Sequence, residues 1–230
     1  MAPQGTTRVD AGAGLDSNAR VSGVPGERAQ ASAPPRACGP CSLCCTLLRV
    51  DELAKLAGTP CVHQRPGHPE GGCAIHPMRP AVCRRYRCLW LRGSLEAGDR
   101  PDLLGAVLDL ASRGGFPELV VHEAEPGSAQ RSPRLREIVE RYRSAMPVRI
   151  LDAESVLDPD RGFRILLPGG EELRVAGEQV ETWRAGERVG ERRLAWLERL
   201  ARQIAIAARR VHLRPHRRGP RSAAASRREG

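Results

Sequence analysis

Apolar positions recur at helical spacing in two stretches of the chain and cluster at strand length in several others. From Ser132 to Ala145, Leu135, Ile138, Val139 and Tyr142 fall at i, i+3, i+4 and i+7, one stripe of a helix. Ser132 with Pro133 after it fits the N-cap and first helical position. From Glu191 to about Val211, Leu194, Leu197, Ala201, Ile204 and Ala208 share one helical face. Val107–Leu110, Leu119–Val121 and Val148–Leu151 read as strands. Phe163–Leu167 and Leu173–Val175 flank Pro168-Gly169-Gly170-Glu171, which predicts a hairpin.

Upstream the pattern is weaker. Leu47-Leu48-Arg49-Val50 is a short apolar run, and Asp51 predicts an N-cap for a helix over Glu52–Ala57, stopped by Gly58. Residues 64–72 read as loop, and Pro80 can open a short helix through Cys83 toward Tyr86. Residues 1–36 are rich in Gly, Ala, Ser and Pro with no apolar period, and are expected to be disordered. No internal repeat stands out.

Composition adds limits. The 230 residues allow one domain with a small appendage. Trp 3, Tyr 2 and Phe 2 supply little aromatic bulk, while Gly 24 and Pro 19 favour loops. No apolar run approaches the roughly 18 residues of a membrane helix, so no membrane partner is expected. No secretory leader pattern opens the chain, which makes a reducing cytoplasm the expected compartment. The net charge is +10, and Lys55 is the sole lysine beside many arginines. Residues 209–230 hold eight Arg and one Glu, so much of the charge belongs to a tail. Such a tail is usually a solvated, disordered end. Its alternative role is weak, non-specific nucleic-acid contact, since it carries no aromatics for base stacking. No phosphate loop, G-x-G-x-x-G or Ser-His-acid trio is present, and Glu171-Glu172 at a turn reads as solvated.

All eight cysteines lie between residues 38 and 88: Cys38, Cys41, Cys44, Cys45, Cys61, Cys73, Cys83 and Cys88. Disulfides would suit an exported chain, and adjacent Cys44 and Cys45 are awkward to bridge to each other. Inert packing does not produce eight cysteines in about fifty residues and none elsewhere. Metal or cluster ligation explains the spacing, because C-x-x-C lets two thiolates converge on one ion or one iron of a cluster. It also answers a stability problem, since a segment this small rarely has a sufficient core of its own. The ferredoxin spacing is absent, and a thioredoxin-type C-x-x-C does not travel with six more cysteines.

The run Cys38-x2-Cys41-x2-Cys44-Cys45, an acid at Asp51, Cys61, and then Cys73-Ala74-Ile75-His76-Pro77-Met78-Arg79-Pro80-Ala81-Val82-Cys83-Arg84 resemble the CxxCxxCC family of YkgJ-like cysteine-cluster proteins. These are described as zinc- or iron-chelating domains. The resemblance covers about residues 38–91 and gives all eight cysteines a counterpart. It implies metal binding by those eight residues, with zinc or an iron–sulfur cluster as the bound group. Flagellin lysine methylases look like relatives with a similar cluster, but nothing else here matches a methyltransferase.

Neighbouring residues point in different directions, so Cys44 and Cys45 are expected to serve different centres, giving two four-cysteine sites. On a helical turn Cys38, Cys41 and Cys45 would share a face. His63, His68 and His76 lie in the block as loop or supporting residues rather than ligands. Arg79 and Arg84 are candidates to donate hydrogen bonds to thiolates, and His122 reads as a structural strand histidine.

The expected fold class is α+β: a disordered segment 1–36, a cysteine-rich metal module 37–95, an α/β region 96–211 and a basic tail 212–230. Metal binding is the leading functional reading. The alternatives are an iron–sulfur-dependent redox or modification enzyme and a zinc-stabilised, non-specific nucleic-acid binder. The sequence does not decide whether the chain is an enzyme.

Overall fold

A computed structural model describes residues 36–68, 71–152 and 162–211. The expected disorder of 1–36 (Arg36 apart) and the basic tail 212–230 lie outside the described residues. Seven strands form one sheet in chain order: β1 (Ala106–Arg113), β2 (Phe116–Glu123), β3 (Val148–Asp152), β4 (Phe163–Leu166), β5 (Glu171–Ala176), β6 (Gln179–Arg184) and β7 (Glu187–Arg193). The helices are α1 (Leu43–Leu47), α2 (Ala81–Arg85), α3 (Pro101–Leu104), α4 (Ser128–Arg131), α5 (Pro133–Arg143) and α6 (Trp196–Val211). The fold is therefore mixed α and β.

Neighbouring strands are antiparallel except β2 and β3, which run parallel because α4 and α5 carry the chain back between them. Helix α5 forms where its stripe predicts. Ser132 Oγ accepts the Leu135 N–H at 3.2 Å, Pro133 opens the helix, and Leu135, Ile138, Val139 and Tyr142 are buried. They pack on Leu108, Leu119, Val121, Val148 and Ile150 of the sheet, with Leu89, Leu95 and Leu104 completing the core.

Strand alternation divides β1 between two neighbourhoods. Ala106 and Leu108 join the α5 core, whereas Val107 packs with Leu47 and Cys88. Asp109, on the same side as Val107, pairs with Arg92 at 3.1 Å. The cysteine segment thus lies against the sheet face opposite α5, and Leu89 N–H donates to Leu108 O at 2.9 Å.

Three expectations are corrected. The helix over Glu52–Ala57 is a single 3-10 turn, Asp51–Leu53. Ala54 takes a left-handed φ of 49°, and the chain reverses so that Val50 pairs with Lys55. The helix expected from Glu191 begins at Trp196, because Glu191–Arg193 belong to β7. A turn at Ala185 (φ 50°) and Gly186 (φ 84°) folds β7 onto β6. Finally, β1 and β2 extend beyond their apolar centres and meet at Gly114-Gly115, both at positive φ.

Candidate metal centre

Cys38 and Cys41 sit on a turn built by Gly39 (φ 51°), in which the Cys41 N–H donates to Cys38 O at 3.0 Å. Helix α1 starts only at Leu43. Cys38, Cys41 and Cys45 therefore do not share a helical face, since the turn and Ser42 intervene. Cys44 and Cys45 are consecutive residues of α1.

The later cysteines are brought back by backbone pairing. Cys61 N–H donates to Cys45 O at 3.1 Å. Cys73 pairs with Gln64 in an isolated bridge. The Gln64 side chain ties this loop to α1, because its Nε2 donates to Ser42 O at 3.1 Å and its Oε1 accepts from Thr46 Oγ1 at 3.1 Å. Gly72 permits the close approach: its N–H donates to Gly39 O at 3.0 Å, and a Cβ there would stand 2.4 Å from Ser42 Cβ. Cys83 lies on α2, and Cys88 is buried beside Leu47 and Val107.

All eight cysteines line one cavity of about 450 Å³. The same wall holds Arg36, Arg49, Lys55, Arg79, Arg84 and Arg87, and no described Asp or Glu. Several of these cations are held by neutral carbonyls. Buried Lys55 donates through Nζ to Thr46 O at 2.9 Å, Leu48 O at 2.5 Å and Leu56 O at 3.0 Å. Arg36 donates to Trp90 O at 2.9 Å, Arg79 to His76 O at 2.7 Å, and Arg84 to Arg79 O at 2.9 Å. Arg49 pairs with Asp51. Arg79 and Arg84 stand at the cavity wall, and these bonds go to carbonyls rather than to the thiols they were expected to reach. His63 and His76 reach the wall, while His68 does not line it.

Burial pushes the thiols of Cys38, Cys83 and Cys88 up, and that of Cys41 to about 11. Cys44 donates to Cys45, which raises Cys44 well above the usual thiol value and lowers Cys45 to about 7. Lys55 and Arg79 lower Cys45 further by their charge. All eight cysteines are free thiols. Among the described residues, no three His, Cys, Asp or Glu side chains converge tightly enough to hold one ion. The thiols stand around a void.

Lys55, Gln64 and Gly72 were not singled out as site residues by the sequence reading. The signal for Lys55 was its rarity, one lysine in an arginine-rich chain. A second cavity, of about 290 Å³ at the ends of β2 and β3, has Glu123 in its wall. That carboxylate already accepts from Gly127 N at 2.9 Å and Ala129 N at 2.6 Å. Among the described residues, no helix is long and apolar enough to cross a membrane. No protein-family model, curated protein or solved structure matches the chain.

Proposed function

We propose that this chain is a metal-binding cysteine-cluster protein whose eight cysteines hold zinc or iron–sulfur centres. The observation that carries the reading is the gathering of all eight thiols on one cavity whose charged lining is basic. Thiolates are the donors that zinc and iron–sulfur centres require, and fixed cations favour the deprotonated state that ligation needs.

The two candidate groups space their ligands differently. A zinc ion draws its four sulfurs to roughly 3.8 Å from one another, given a 2.3 Å bond and tetrahedral geometry. An iron–sulfur cluster fills its middle with iron and sulfide and keeps its thiolate ligands further apart. When bound, such a group supplies electron transfer and cross-links a segment poor in apolar bulk. No observation among the described residues favours the nucleic-acid reading or identifies a catalytic residue.

The test is metal and sulfide analysis with a visible spectrum on protein purified without air. Iron with acid-labile sulfide, and broad absorbance that bleaches on reduction, would identify clusters. About two colourless zinc ions per chain would identify zinc. Folded protein with no metal and eight titratable thiols would overturn the reading.

A further inference from the structure

Helix α6 is fastened to the protein by its charged side. Arg199 pairs with Glu178 at 3.2 Å and Arg202 donates to Gly177 O, both acceptors lying in the turn between β5 and β6. At the start of the helix, Glu198 accepts from Ala195 N and from the Arg192 guanidinium, each at 2.7 Å. No described residue of α6 joins a buried apolar cluster or lines the cysteine cavity. Trp196, Leu197, Leu200 and Ile204 are instead exposed, at 64%, 60%, 45% and 60%. At about 100° per residue these four fall within an arc of about 100°, with Arg199 and Arg202 outside it. A surface helix ordinarily turns such a stripe toward its own core. Here the stripe faces outward.

A helix of 16 residues gains little stability from its own hydrogen bonds in water and depends on burial of its apolar face. The surface that covers this stripe must be apolar beneath Trp196, Leu197, Leu200 and Ile204 and anionic around them. The charge requirement comes from the chain that completes α6 and follows it, where residues 209–230 hold eight Arg against one Glu. A second copy of the protein would offer apolar surface but add the same arginines, setting like charges together. Nucleic acid would neutralise the arginines and leave the stripe in water.

We infer that α6 docks on the surface of an anionic lipid membrane. It lies in the plane of the interface, with the stripe among the upper acyl chains and the arginines that follow beside the lipid phosphates. The amphipathic ring of Trp196 suits that depth. The helix does not cross the bilayer, since among the described residues none is long and apolar enough to do so. The contact uses no cysteine and stands apart from the proposed metal centre.

The test uses the full chain with vesicles of phosphatidylglycerol mixed with phosphatidylcholine, beside vesicles of phosphatidylcholine alone. The protein should sediment with the mixed vesicles and not with the neutral ones. Salt at about 1 M, where the screening length falls to about 3 Å, should weaken binding at least about tenfold. Trp196 is one of three tryptophans; the emission of the protein should shift to shorter wavelength on binding, and Trp196→Phe should remove the shift. Leu200→Glu with Ile204→Glu should melt as wild type, because both side chains are exposed, and should bind at least about tenfold more weakly. If that pair melted early, the emission of wild type and Trp196→Phe would decide alone. Wild type that stays free of the mixed vesicles, or sediments equally with neutral ones, overturns the proposal. Undiminished binding by a folded double variant, or emission that does not move, leaves attraction to charge alone and overturns the role of the stripe. A lipid-free dimer that the double variant dissociates would assign the stripe to a second copy. Random-sequence DNA bound more tightly than vesicles, and weakened by the same pair, would assign it to nucleic acid. Either result overturns the lipid assignment.

Discussion

Gly72→Ala tests whether close backbone approach assembles the cysteine cavity. An alanine Cβ would meet Ser42 Cβ at 2.4 Å, Cys41 O at 3.1 Å and Ser42 Cα at 3.2 Å. Carbon–carbon contacts settle at about 3.5–4.0 Å, so the two segments must part by more than about 1 Å. The obstructing atoms are backbone and a Cβ, so no rotamer change relieves the clash. Overpacking of this kind costs about 1–3 kcal/mol. Parting the segments also stretches the 3.0 Å bond from Gly72 N to Gly39 O, a loss of about 1 kcal/mol. The sum, about 2–4 kcal/mol, lowers Tm by roughly 4–16 °C for a chain of this size. It also moves Cys73 away from Cys41, so thiol reagents should react faster with the metal-free protein. Gly98→Ala is the control, because a Cβ there meets nothing within 4 Å. Thermal melts by circular dichroism and timed thiol titration read both effects. A Gly72→Ala protein that melts with Gly98→Ala and wild type, with unchanged thiol kinetics, would refute this account of the cavity.

Three further outcomes are expected. Lys55→Met should cost about 2–4 kcal/mol in urea unfolding, because the carbonyls of Thr46, Leu48 and Leu56 lose their shared donor. Asp99→Ala should cost about 1.5–3 kcal/mol, reduced by the partial exposure of Arg134. It removes the acceptor of Arg134 Nε at 2.7 Å and Nη2 at 2.8 Å and of Glu96 N at 2.9 Å. Arg134 holds the Asp99 carboxyl below its usual range, so this contribution is present above about pH 4 and fades below it; the variant should lose that part of the acid sensitivity. His122 titrates at about 4 because burial disfavours its charge, and its Nδ1 has no hydrogen-bond partner. The unfolded chain binds this proton first, so stability falls as pH drops from about 6.5 toward 4, by on the order of 3 kcal/mol. Denaturation of His122→Leu across that range should show a shallower pH dependence than wild type.

What could be read in advance depended on burial on one side. Leu135, Ile138, Val139 and Tyr142 form a stripe because α5 has one core face, and Val148 to Leu151 sit between paired strands. β6 and β7 escaped notice because Glu181, Arg188 and Glu191 put ion pairs where a half-buried strand would show apolar alternation. Charges of this kind suit strands exposed to water and leave no period to detect. The same limit applied to the site. Cysteine spacing pointed to thiolate chemistry, but C-x-x-C repeats carry no information on which distant cysteine returns to which. That pairing was set by Cys61 bonding to Cys45, by Gln64 beside Cys73, and by a glycine whose missing Cβ lets the two segments touch.

The arginine-rich composition takes on a different meaning once its placement is known. As a total it points to no particular partner, and much of it belongs to the tail. Around the cavity, however, six cations stand with eight thiols and without a described carboxylate in the wall. Burial alone favours neutral thiols, as at Cys41, whereas the hydrogen bond from Cys44, with the charges of Lys55 and Arg79 behind it, pulls Cys45 the other way. A divalent centre held by four thiolates would carry about two negative charges. The cations of the wall have partners of their own, Arg49 on Asp51 and Lys55, Arg36, Arg79 and Arg84 on carbonyls, and Asp102, Glu52 and Asp109 bear on Cys41, Cys83 and Cys88 from beside it. Thiolate ligation would release protons, and Lys55, buried and held by three carbonyls, would keep its charge at the cavity whether or not a metal is bound.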